Sequence, residues 1–140
     1  MTQYLIRFPL WLLVIVARYP LAFVAVAFSK NNEVRWPFGW IGTIDASLLG
    51  DQGWRDEHLW GNDPTSYINQ VRWLWRNGGN EFNYWWIGVS ASDRPEWAFW
   101  SSKQIPLIFG RFLDLRFGWT DYQLHGRCKY VFTIRIKTKP

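Results

Sequence analysis

Residues 4–28 form an apolar run whose only charges are Arg7 and Arg18 and whose only proline interruptions are Pro9 and Pro20. A water-soluble domain has little use for such a segment. Wound as one helix it reaches about 37 Å at roughly 1.5 Å per residue, enough to cross a hydrocarbon core of about 30 Å. Arg18 near its middle would cost about 2.5–3.5 kcal/mol in a spanning helix. A tilt, snorkelling, or two half-helices meeting at Arg18-Tyr19-Pro20 would lower that cost, so a span and a re-entrant or surface-lying hairpin both stay open. Arg7 near the start of the run and Ala25-Val26-Ala27 near its end resemble a cleavable signal, but Arg18 and Pro20 break its apolar core. The expectation is a retained membrane anchor over 1–29, followed by one small head over 30–140.

Basic and aromatic residues beside an apolar run favour the water–lipid boundary. Arg7, Trp11, Arg18, Lys30, Arg35, Trp36 and Trp40 are the expected interfacial residues. The chain contains 12 Trp, and these rings serve either as core or as a face that meets lipid.

Residues 43–63, rich in Gly, Asp and Asn, read as a loop. Asp63 before Pro64 predicts an N-cap and a helix over 64–77 that Gly78-Gly79 ends. Tyr67, Ile68, Val71, Leu74 and Trp75 form its apolar stripe, and Arg72 and Arg76 lie four apart on the flank. Trp73, Trp75, Arg72 and Arg76 are candidates for a lipid or partner face. Residues 82–89 read as a strand or a buried segment. At the end, Tyr130, Phe132, Ile134 and Ile136 alternate with mostly polar residues, predicting a strand that pairs with part of 105–117 through a connection over 118–126. The fold class expected is α+β: an N-terminal membrane helix, kinked or folded as a hairpin, then an aromatic-rich head with one amphipathic helix and a C-terminal antiparallel β pair.

The acidic loop supplies Asp45, Asp51, Asp56, Glu57, His58 and Asp63. Of these, Asp45, Asp51 and His58 are the catalytic candidates, because clustered carboxylates with a histidine suit general acid–base work. The spacing is not that of an oxygen-ligand calcium loop, and glycine beside Asp45 and Asp51 suits turn formation equally. Two histidines without paired spacing imply no metal, and no nucleophile elbow or phosphate-cradling glycine loop implies a cofactor. One cysteine, Cys128, excludes an intramolecular disulfide and suits a reducing compartment. Residues 105–140 carry seven basic and two acidic side chains, which suits anionic lipid. Nucleic acid is disfavoured, since Tyr130 and Phe132 alternate with the basic residues and so face away from them.

Several phrases resemble, as a set, small uncharacterised proteins of tailed bacteriophages: Gly50-Asp51-Gln52-Gly53-Trp54, Arg72-Trp73-Leu74-Trp75-Arg76-Asn77 and Gly126-Arg127-Cys128-Lys129-Tyr130-Val131-Phe132 among them. The resemblance implies a membrane-associated accessory protein at the host inner membrane, with its head in the cytoplasm. Its partners would be the bilayer and a host membrane or envelope protein. The alternatives are an envelope-directed hydrolase using the 45–63 loop and a membrane-contacting virion component. No catalytic residue is implied by it.

Overall fold

The computed structural model describes all residues except 45, 96–98, 102–104 and 139–140, with the backbone alone at 99–101 and 121–124. The fold is α+β, and the chain forms two compact units, 1–83 and 84–140.

The first unit begins with α1 (Thr2–Ala27), which runs unbroken through Pro9 and Pro20, so the chain does not fold back at Arg18-Tyr19-Pro20. It reverses instead after the helix. Asn31 and Asn32 both take left-handed φ values, 55° and 59°, and Lys30 and Glu33 exchange backbone hydrogen bonds of 3.1 Å across them. Asparagine tolerates that conformation better than most residues, which is why a polar Asn-Asn pair makes the tight turn.

A 3-10 turn (Gly39–Ile41), the short α2 (Gln52–Trp54) and a π-helical turn (Arg55–Leu59) lead to α3 (Tyr67–Asn77). α3 starts later than the Asp63-Pro64 signal implies. Ser66 caps it by accepting from the Asn69 N–H. Asp63 is occupied one turn earlier, where its carboxylate takes the Thr65 N–H and hydroxyl at 2.8 and 2.7 Å. The end falls where glycine predicts it. Gly78 donates to the Leu74 carbonyl and Gly79 to the Ile41 carbonyl.

The core of this unit joins Ala22, Ala25 and Val26 of α1 to Ile41, Leu48, Trp54, Leu59, Val71, Trp73 and Leu74. Small residues on α1 let α3 approach closely. Just past α3, Gly79 also approaches α1 closely, because a Cβ there would lie 2.5 Å from Val14 Cγ1 and its φ is +80°. Past it come α4 (Asn80–Phe82) and a π-helical turn (Asn83–Ile87). Most of residues 82–89 is therefore helical; only Val89–Ser90 is a strand. The aromatic run suggests β, but its buried members Asn83, Tyr84 and Ile87 recur at helical spacing while Trp85 and Trp86 are exposed.

The second unit is a five-stranded antiparallel sheet. Its spine is the hairpin of β4 (Phe112–Leu124) and β5 (Arg127–Lys137), the C-terminal pair expected from alternation. β1 (Val89–Ser90) flanks β5, while β2 (Phe99–Ser101) and β3 (Ile105–Pro106) pair with β4. The connection is much shorter than 118–126. Only His125 and Gly126 lie outside the strands, with φ of 52° and 70°. Gly118 reads as a break but sits inside β4 opposite Val131, and a bulge between Trp119 and Gln123 absorbs the irregular residues. On one face Trp119 meets Tyr130 edge-on at 6.2 Å, both buried. On the other, Asp114 is 2% exposed and held by Lys137 Nζ at 2.8 Å and Arg116 Nε at 3.0 Å.

Candidate membrane-facing surface

An α-helix turns about 100° per residue, so each position of α1 has a fixed bearing. Arg7, Trp11, Arg18, Ala22 and Ala25 project within roughly 60° of one another. That stripe is the packed one: Trp11, Ala22 and Ala25 are buried, and Arg7 and Arg18 are half-buried. The opposite half of the helix carries Leu5, Ile6, Leu12, Leu13, Val16 and Phe23, all exposed, with Ile6 at 71%. From Leu5 to Ala27 it bears no charge. Ordinary surface helices place polar residues there.

Arg18 is accounted for by α3. Its Nη1 lies 3.4 Å from the Gly78 carbonyl and 3.5 Å from that of Arg76. These are among the C-terminal carbonyls that a helix leaves without partners, and a cation is favoured at that end. α3 reciprocates. The Trp75 indole N–H donates to the Tyr19 carbonyl at 2.9 Å, and the Tyr67 hydroxyl to the Phe23 carbonyl at 2.8 Å. Phe23 stacks edge-on against Trp75 at 5.5 Å.

Beyond the end of α1, Phe28, Lys30, Arg35 and Trp36 are exposed, Trp36 at 91%, and Phe28 lies 6.1 Å from the Phe38 ring. This is the basic and aromatic collar that the sequence places beside the apolar run. Trp40 is half-buried against Phe82, and an apolar groove of about 270 Å³ opens between these two rings and Leu13, Val14 and Ala17.

Not every expected interfacial residue lies on the open surface. Trp11 is buried beside Gly79, and Trp73 is buried at 5.7 Å from Trp54, so both serve the core. Trp75 binds α1. Arg72 and Arg76 are exposed and lie over the Trp54 ring at 5.8 and 5.5 Å, a cation–π pair spaced by one helical turn. Helical projection of residues 4–28 alone identifies Leu5, Ile6, Leu13 and Val16 as the open face, a signal that total hydropathy hides.

The two described catalytic candidates, Asp51 and His58, each have partners of their own. Asp45 lies outside the described residues. Asp51 is the N-cap of α2, accepting from the Trp54 N–H at 2.7 Å. His58 packs on Trp54 at 4.7 Å and lies 3.6 Å from Glu57, which also meets Arg76 at 3.8 Å. Asp56 accepts from Gln52 at 2.7 Å. Hydrogen bonds from Thr65 hold the Asp63 carboxyl below its ordinary pKa. Each described carboxylate of the loop is thus engaged within its own turn or with α3.

The chain belongs to a family of unknown function, DUF7338, whose model matches residues 1–106. That span holds the whole first unit. No curated protein and no solved structure matches the chain.

Proposed function

We propose that this DUF7338 protein works at a bilayer surface, with α1 lying in the interfacial plane, as a bacteriophage accessory protein that binds or modulates a host envelope component. The observation that carries the reading is the segregation on α1: both arginines turn to the packed side and an uncharged apolar half is left open. Exposing that half to water is unfavourable, and burying it among acyl chains lowers the free energy.

A span is the weaker alternative. α3 engages α1 from Arg18 to Phe23 through hydrogen bonds. Carrying that part into hydrocarbon would take Arg72 and Arg76 with it. Residues 2–17 alone reach about 24 Å, short of the roughly 30 Å core. The collar of Lys30, Arg35 and Trp36 suits the headgroup level. The basic, disulfide-free chain supports placement at the cytoplasmic side of the host inner membrane, and the phage setting rests on the sequence phrases quoted above.

Single cysteines at Thr2 and Ser29, introduced into a Cys128→Ala chain, test this in sealed vesicles. Both should react with an impermeant thiol reagent from the same side. Reaction from opposite sides would replace the in-plane helix by a span, and a chain that stays soluble without detergent would remove the membrane role.

A further inference from the structure

A cavity of about 430 Å³ lies in the first unit between residues 32–34, residues 39–44 and 46–48, and Glu81. We propose that it binds a primary ammonium group, carried by a free small amine or by an aminophospholipid headgroup, with Glu81 as the counter-charge.

The volume falls within the roughly 300–1,000 Å³ of small-molecule sites. Among the described residues, Glu33 and Glu81 are the charged ones lining it, and no Lys, Arg or His joins them. Asn32, Thr43 and Ser47 add oxygen atoms to the wall. Their positions are fixed from behind: Asn32 Oδ1 accepts from Gln70 at 2.8 Å, the Thr43 hydroxyl donates to the Ala46 carbonyl, and Ser47 Oγ accepts from the Leu49 N–H.

Glu81 differs from the carboxylates of the acidic loop. Its backbone N–H is tied to the Gly42 carbonyl at 3.3 Å, while no described residue donates to its carboxylate. Partial burial raises its pKa by disfavouring the charged form. An ammonium offers three N–H donors to one carboxylate and neighbouring neutral oxygens. A bare metal ion fits less well, because the space is far larger than an ion and no three metal-ligating side chains gather among the described residues.

Two glycines line the space. A Cβ on Gly42 would come within 3.1 Å of the Gly39 carbonyl and 3.8 Å of Glu81 Oε2, and one on Gly39 would meet nothing within 4 Å. A larger side chain is therefore accommodated at Gly39, at the cavity wall, without a backbone clash at its Cβ.

The test uses the full chain in phosphatidylcholine nanodiscs. One arm titrates ethanolamine and putrescine by calorimetry; the other compares nanodiscs with and without phosphatidylethanolamine by amide shifts of residues 39–44. Saturable binding in either arm is expected, weakened ten- to hundredfold by Glu81→Gln and lost in Gly39→Leu at unchanged melting temperature. Response in the first arm alone assigns a free amine, and in the second alone a lipid headgroup. Absence of binding in both, binding indifferent to Glu81→Gln, or displacement of the amine by equimolar magnesium would overturn the proposal. The free-amine arm does not depend on the membrane reading, so the two can fail separately.

Discussion

Arg18 on α1 donates to the carbonyl of Gly78, the residue that closes α3, across 60 positions of sequence. The one charge that an embedded helix would find hardest to carry is thereby a bolt between two helices.

Replacing Arg18 by Leu should consequently weaken the fold. Loss of a partly exposed, charge-assisted contact predicts about 1–2 kcal/mol of lost stability. Hydrogen exchange should speed up selectively at Asn77, Gly78 and Gly79. Tighter membrane retention with unchanged exchange would instead place Arg18 in lipid.

Gly79 is constrained twice, by φ of +80° and by Val14. Gly79→Ala should cost about 1–2 kcal/mol from backbone conformation alone, with a further loss from the clash. Adding Val14→Ala should recover the clash and leave the conformational part, a non-additivity that a double-mutant cycle measures. Strict additivity of the two substitutions would mean the contact is not made.

Asp51 separates a structural acid from a catalytic one. Asn keeps the acceptor that caps α2, so Asp51→Asn should leave the melting temperature and host phenotype nearly unchanged. Asp51→Ala should lose about 1 kcal/mol. A phenotype abolished by Asp51→Asn in a folded chain would restore the enzymatic alternative.

Acid should loosen the sheet unit through Asp114. Hydrogen bonds from Lys137 and then Arg116 hold its carboxyl below the ordinary range. Its contribution is thus complete above the unfolded value near 3.9 and is lost as pH falls through the lower folded value. Asp63, lowered by Thr65, acts in the same sense, whereas Glu81, raised by burial, loses stability as pH climbs through its range. Asp114→Asn should flatten the acid limb seen by hairpin amide protection below pH 4; an unchanged limb would exclude the ion pairs as its source.

The apolar helix, the C-terminal pair and the glycine stop of α3 are legible in sequence because each rests on local periodicity or a glycine. The cap of α3 was misplaced because Asp63-Pro64 satisfies the same local pattern that Ser66 fulfils three residues later. Of the two readings of 82–89, the buried segment holds and the strand does not, because aromatic residues favour β statistically while their burial here follows a helical period. Nothing local announces that Arg18 would reach Gly78, or that Glu81 would meet Gly42, since both depend on where distant segments come together.

The separation between Arg18 and Gly78 also has a consequence in time. At roughly 5–20 residues per second, Arg18 leaves the ribosome about 3–12 s before the carbonyl that receives it. During that interval both sides of α1 are uncovered. On the membrane reading proposed above, the nascent helix would meet lipid as a bare hydrophobic segment, and its final depth would be set by a race between bilayer insertion and the arrival of α3. Slowing elongation between codons 28 and 78 should shift the product toward deeper insertion, with no change in amino-acid sequence.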